Sequence, residues 1–241
     1  MSLWIKICAN TSLEDAQLAA DAGADAAGFV FAPSPRRVTP QQAAAIVPHL
    51  PAGLEKIGVF VDAAFEEIAS TVAVSGLTGV QLHFDAAPEL TTQLHARFGP
   101  QLRILRVVHF DAAHTREPSL LSGHDFSRAK SAGEAAGALA PEAYLGKFDA
   151  DAVLVDSRTA SAVGGTGKVF DWAAAGKTLF HDANARKLVA AGGLTPENVA
   201  EAIALMRPWG VDVVSGVEAA PGRKDAAKVR AFVAKARATQ S

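Results

Sequence analysis

At 241 residues, 49% hydrophobic and 20% charged, the chain can bury a large core and carries none of the bias of a disordered segment. A net charge of −2 with no long Lys/Arg run excludes a nucleic-acid footprint, so an anionic ligand must be met by local charge or backbone N–H groups. Cys8 is the one cysteine, which excludes an intramolecular disulfide and a multi-cysteine metal site; with neither a signal-peptide core nor a membrane-length apolar run, a cytoplasmic location is expected.

Short apolar runs alternate with stretches of helical spacing. Residues 3–8 predict a strand ending on Cys8. Residues 12–22 predict a helix with Ser12 as N-cap, Glu14 and Asp15 at its positive start and Gly23 as its stop. A strand over 26–31 leads to a helix over 39–50, with Thr39 at the N-cap and Pro40 in the first helical position. Then come strand 56–61, helix 64–74, strand 79–83, helix 88–97 and strand 102–108. The stretch 109–147 breaks the rhythm with Gly, Ser, many Ala and three histidines (His109, His114 and His124) that lack ligand spacing. It reads as an irregular insertion, either a surface excursion or a lid over the substrate. Beyond it lie strand 152–156, a short helix after Phe170, strand 187–191, helix 196–206, strand 211–214 and a terminal helix over 224–238.

The strands, such as 153–155 and 211–214, read as apolar on both faces, as buried parallel strands are. About eight βα units with no second domain favour an α/β fold of one kind: a single (β/α)8 TIM barrel spanning 1–241. An open doubly wound sheet shares the rhythm but not the repeat number.

In such a barrel the C-terminal strand ends face the active site. Those positions hold Cys8, Arg36 in the loop after the second strand, His83, Asp156, the Gly192-Gly193 pair and Ser215-Gly216. Cys8 is either a small buried hydrophobe or, with its pKa lowered by nearby cations, a base. Asp156 closes an apolar strand, where a carboxylate is costly unless it is paired or faces the cavity. Gly192-Gly193-Leu194-Thr195-Pro196 opens a helix, and Ser215-Gly216 follows the last strand. Turns after the seventh and eighth strands are the recurrent phosphate grip of these barrels. Gly164-Gly165-Thr166-Gly167 is either a hinge or a wall approached closely by ligand. Arg36 is either a solvated surface cation or a clamp for a substrate carboxylate.

One ordered set of segments carries a resemblance. It comprises Lys6-Ile7-Cys8, Glu14-Asp15-Ala16, Ala22-Gly23-Ala24-Asp25, Gly28-Phe29-Val30-Phe31, Ser34-Pro35-Arg36, Gly58-Val59-Phe60-Val61 and Val80-Gln81-Leu82-His83. It continues through Leu154-Val155-Asp156-Ser157, Gly164-Gly165-Thr166-Gly167, Phe170-Asp171-Trp172, the run Ala191 to Val199, Ser215-Gly216-Val217-Glu218 and Pro221-Gly222-Arg223-Lys224-Asp225. The set resembles the phosphoribosylanthranilate isomerases of tryptophan biosynthesis over nearly the whole chain outside 109–147.

The resemblance implies an Amadori rearrangement of N-(5-phosphoribosyl)anthranilate. Asp156 matches the family's acid and Cys8 its base. Arg36 matches a clamp for the anthranilate carboxylate, while Gly192, Gly193, Ser215 and Gly216 would hold the phosphate. His83, Gly165 and Gly167 complete the expected substrate-binding set. The resemblance implies no cofactor and no metal, a small phosphorylated substrate as partner, neither nucleic acid nor membrane, and a monomer or homodimer.

Four positions depart from the family pattern. Ala9 stands where Gly is usual, a change that an ordinary backbone conformation would tolerate. Phe84 replaces a Gly after Gln-Leu-His, Arg37 stands at a common aromatic position, and Val214 replaces a common Ser beside the last turn. Other phosphosugar barrels share the architecture but call for different residues. An indole-glycerol-phosphate synthase would use Lys and Glu at strand ends, and a histidine-pathway isomerase two aspartates. A barrel that merely binds a phosphometabolite is the third reading.

Overall fold

Eight parallel strands pair in a ring, and the ring closes. The computed structural model describes residues 2–83, 89–111, 119–121, 150–156, 172–178, 180 and 187–239. Strands β1 (Trp4–Ile7), β2 (Ala26–Val30), β3 (Glu55–Val61), β4 (Gly79–His83) and β5 (Arg103–Asp111) follow one another in chain order. A short β6 (Ser119–Leu121) runs antiparallel to the end of β5, pairing His109 with Leu121 and Asp111 with Ser119. Strands β7 (Ala152–Asp156), β8 (Leu188–Ala191) and β9 (Gly210–Val213) complete the wall, so the predicted sixth to eighth strands are β7 to β9. Pairing of β9 with β1 and of β4 with β5 seals the barrel.

Helices α1 (Leu13–Asp21), α2 (Pro40–Ile46), α3 (Phe65–Ser75), α4 (Glu89–Phe98), α5 (Trp172–Thr178), α6 (Val199–Met206) and α7 (Ala226–Ala238) lie between strands or after the last. The α1 cap is Ser12, whose Oγ accepts from the Asp15 N–H at 3.2 Å, and Thr39 with Gln42 forms a capping box on α2. Several boundaries differ from the sequence expectation, the first strand ending at Ile7 rather than Cys8 among them, and three have a local cause. Helix α2 gives way at Val47 to a tighter turn, because Pro48 has no N–H to continue the ladder. Helix α6 starts late because Asn198 is engaged by the preceding loop: its Oδ1 accepts from Thr195 N at 2.8 Å, and its Nδ2 donates to Gly193 O at 2.9 Å. The fifth strand runs to Asp111, since its end gains a partner in β6; the predicted insertion thus begins as ladder rather than irregular chain.

The barrel lumen is filled, not open. Trp4, Ala26, Ile57, Leu105, Val107, Ala152, Leu154, Val189 and Ala191, all strand residues, form one buried cluster. Larger clusters pack the outer strand faces against the helices, with Phe29, Leu82 and Leu94 in one and Ile7, Val211 and Phe232 in the other. Above the lumen plug the interior turns polar, and the candidate site begins there.

Candidate active site

Side chains alternate along a strand, so Lys6 and Cys8 point the same way from β1 and its continuation. Lys6 pairs in register with Asp212 of β9, and both are buried. The Lys6 ammonium donates to Gln81 Oε1 at 2.7 Å and to Asp212 Oδ1 at 3.1 Å. Burial alone would lower the Lys6 pKa, but Asp212 and Cys8 hold it above its ordinary value. Burial pushes Asp212 up against the pull of Lys6, and the charge of Asp156 adds to that rise. Strand 211–214 is therefore not apolar on both faces as expected: Asp212 is the inward-facing charge, affordable because Lys6 meets it.

Cys8 extends the ladder, donating its N–H to Val213 O at 2.9 Å, and its side chain is buried. Asn10 fixes the turn that follows by donating from Nδ2 to Ile7 O at 2.8 Å and to Gly28 O at 3.1 Å. The thiol does not match the expectation of a lowered pKa. Burial pushes it up, Lys6 and Lys224 pull it down, Asp212 opposes them, and the balance stays above the ordinary thiol range. Ala9 corrects a second expectation. Its φ is 63°, in the left-handed region that favours glycine, so the methyl is strained rather than tolerated in ordinary backbone space.

Asp156 ends β7, buried, in register with His109 of β5 and Ala191 of β8. In the ring order β1-β9-β8-β7, only two strands separate it from Cys8, and both residues stand at the same end of the barrel. Between them come the two turns. Gly192 and Gly193 follow β8 with φ of 84° and 67°, and a methyl built on Gly193 would meet nothing within 4 Å. Ser215 and Gly216 open a short helical turn after β9, whose first N–H groups have no acceptor within the turn. A methyl on Gly216 would stand 1.9 Å from Leu194 O, so glycine is what lets these two turns pack together.

Arg36 reaches the same rim. Its Nε lies 2.9 Å and 3.1 Å from the two Glu218 carboxylate oxygens, and Nη2 lies 2.7 Å from Oε2, leaving Nη1 unused by this pair. Burial pushes Glu218 up, yet the Arg36 hydrogen bond, the Lys224 charge and the Gly222 N–H outweigh it and hold it below its ordinary value. Lys224 donates to Cys8 O at 2.6 Å and lies 3.5 Å from Glu218, tying Cys8, the Arg36–Glu218 pair and the turn beyond β9 into one network. The side chain of His83 ends β4 with Nε2 3.0 Å from Gln81 Nε2. Because the Lys6 ammonium fixes the Gln81 oxygen, the Gln81 amide donates and His83 Nε2 accepts.

The structure thus gathers Cys8, Asp156, Arg36, His83, Gly192, Gly193, Ser215 and Gly216 at one end of the barrel. Gly165, Gly167, Phe84 and most of 109–147 lie outside the described residues. Arg37 is exposed. Val214 takes an irregular backbone (φ −120°, ψ −86°), and its carbonyl lies 3.5 Å from Lys224 Nζ. Lys6, Gln81, Asp212, Glu218 and Lys224 were not among the sequence candidates. The signal for two of them was present as a lone charge inside a short strand, in Trp4-Ile5-Lys6-Ile7 and in Val211-Asp212-Val213. Among the described residues no three His, Cys, Asp or Glu side chains come together as a metal would require, and no helix is long and apolar enough to cross a membrane.

A sequence profile of the family described as N-(5'phosphoribosyl)anthranilate (PRA) isomerase matches residues 5–120 and 128–235. The chain belongs to this family. An N-(5'-phosphoribosyl)anthranilate isomerase of Pelobacter propionicus is 40% identical over 238 residues, 98% of this chain and 97% of that one. A phosphoribosyl anthranilate isomerase crystallised with reduced 1-(o-carboxyphenylamino)-1-deoxyribulose 5-phosphate superimposes with a TM-score of 0.71 at 32% identity, covering 98% of this chain and 99% of that chain. Monomers generated from the dimeric isomerase of Thermotoga maritima give 0.70 at 32% identity, with the same coverage. The isomerase reading therefore stands over the other phosphosugar barrels and over a barrel that only binds.

Proposed function

We propose that this rim converts N-(5'-phosphoribosyl)anthranilate to 1-(2-carboxyphenylamino)-1-deoxyribulose 5-phosphate in tryptophan biosynthesis, with Asp156 as acid and Cys8 as base. The observation that carries the assignment of roles is one of place. A buried carboxylic acid and a buried thiol end β7 and β1 at the same mouth, with two glycine turns between them.

The chemistry uses that arrangement in order. Asp156 gives its proton to the ribose ring oxygen; the C1–O bond breaks and the anilino nitrogen's lone pair forms a C1=N iminium. That cation acidifies the hydrogen on C2. The Cys8 thiolate removes it, and the C–H electrons form a C1=C2 bond while the iminium becomes an amine. The resulting enolamine loses its C2 hydroxyl proton and gains one at C1, giving the ketone. No electrons are gained or lost overall, so the steps call for an acid and a base only. The turns at Gly192-Gly193 and Ser215-Gly216 offer backbone N–H groups to the phosphate, supported by the first turn of a helix. Arg36 holds the anthranilate carboxylate through Nη1. The trio of Arg36, Glu218 and Lys224 keeps a net positive charge there even with Glu218 ionised. His83, oriented by Gln81, lines the β4 side of the substrate, and Gly165 and Gly167 complete the binding set that the family pattern implies.

The whole of 1–241 works as one barrel domain in the cytoplasm. The chain works as a monomer or as a homodimer. The direct test follows the fluorescence of freshly generated N-(5'-phosphoribosyl)anthranilate after adding purified protein. A loss proportional to enzyme concentration is expected; no loss with folded protein overturns the proposal.

A further inference from the structure

We propose that Lys6 is a positioning residue for the reaction: its ammonium, braced by Asp212 and Gln81, sits beneath Cys8 to stabilise the thiolate that takes the sugar proton. The inference rests on the reading of Cys8 as the base. It begins with space. A methyl built on Gly28 would fall 2.5 Å from Cys8 Sγ and 3.0 Å from Lys6 Cε, so thiol and lysine chain share the hollow that Gly28 leaves on β2. The ammonium has three N–H donors. Gln81 and Asp212 take two, which leaves one N–H of an ammonium whose charge favours the ionised form of the neighbouring Cys8 thiol.

Stability alone gives little reason for this lysine. A buried ion pair is on balance no better than apolar side chains of the same volume, because both charges lose their water. Lys6 is wholly buried and Asp212 nearly so, in the layer between an apolar lumen plug and the mouth. What the pair supplies is a fixed positive charge at the floor of the site, held in one direction by two acceptors. A thiol in that setting needs such a charge, since burial disfavours its ionised form.

The remaining charges around Cys8 are distinguishable from Lys6. Lys224 approaches through the Cys8 carbonyl, not the sulfur. Arg36 is engaged by Glu218, and Lys224 lies within reach of the same carboxylate. Asp15 accepts from the Lys224 N–H at 3.2 Å. Asp156 acts on the neighbourhood through Asp212. Strands β2 and β4 contribute Gly28 and the neutral Gln81, with His83 joined to the latter.

Because Cys8 is the only cysteine, the ultraviolet absorbance of its thiolate can be titrated in the full chain, with Cys8→Ser as the blank. Lys6→Met should raise the midpoint by about one pH unit or more, equivalent to a tenfold or greater loss of thiolate at neutral pH. Asp212→Asn should lower it. The double variant Lys6→Met/Asp212→Asn, which keeps the floor neutral and carries the test if the single variant fails to fold, should titrate well above Asp212→Asn. The rising limb of kcat/KM against pH should move with these midpoints. Coincident midpoints in Asp212→Asn and the double variant overturn the inference while leaving the role of Cys8 intact. Full activity in Cys8→Ser would sink the reading of the base whatever the midpoints do.

Discussion

The two ends of this barrel are built from the same strands and put to opposite uses. At the N-terminal end Trp4 stacks on Trp209 with centroids 5.4 Å apart, and Arg103 and Lys187 lie 5.9 Å and 5.8 Å from the Trp209 ring. Arg103 pairs with Glu55 at 2.7 Å, and Arg237 pairs with Asp25 at 2.7 Å while also donating to Leu3 O. These charges stand at the surface, where each ion pair contributes little, over an aromatic pair that contributes more. At the C-terminal end the charges are buried, the glycines leave room and Ala9 carries strain. One end closes the barrel; the other holds groups in arrangements that stability alone would not choose.

That contrast can be broken by mutation. Trp209→Ala removes the stacked ring and both cation contacts and should lower stability by about 2 kcal/mol, given the partial burial of that ring. Its kcat at 25 °C should stay within about twofold, since nothing at the mouth touches it. Loss of activity in folded Trp209→Ala would show that the two ends are not separable. Ala9→Gly should act at the other end with the smallest effect, raising stability by about 1 kcal/mol through relief of the left-handed conformation. On a chain of this length that is a rise in Tm of about 2–4 °C. An unchanged or lower Tm would mean that the strain at Ala9 is absorbed by its neighbours.

The closing end was legible mainly as rhythm, and the chemical end partly as residues. Alternating apolar runs foretold the barrel because buried parallel strands have few other ways to hide both faces. Cys8, Asp156 and the two glycine turns stood out by place, because strand ends face the mouth of a barrel and a carboxylate there is costly unless it is paired or faces the cavity. Lys6 and Asp212 did not stand out, for each looks like a single tolerated charge until register sets them opposite one another. Pairing between the first and last strands is a property of closure, and no local pattern encodes it. The strain at Ala9 was hidden for a related reason: φ is imposed by the turn that Asn10 pins, not by the alanine.

The central claim is that the thiol that follows β1 and the carboxyl group that ends β7 share one turnover. Its most direct test is the steady-state rate of Cys8→Ser and of Asp156→Asn on N-(5'-phosphoribosyl)anthranilate, alongside their far-ultraviolet circular dichroism. Each variant should keep the wild-type spectrum and a KM within a few-fold, while kcat falls by a factor of about a hundred or more. A folded variant of either kind that turns over substrate at the wild-type rate would contradict the account.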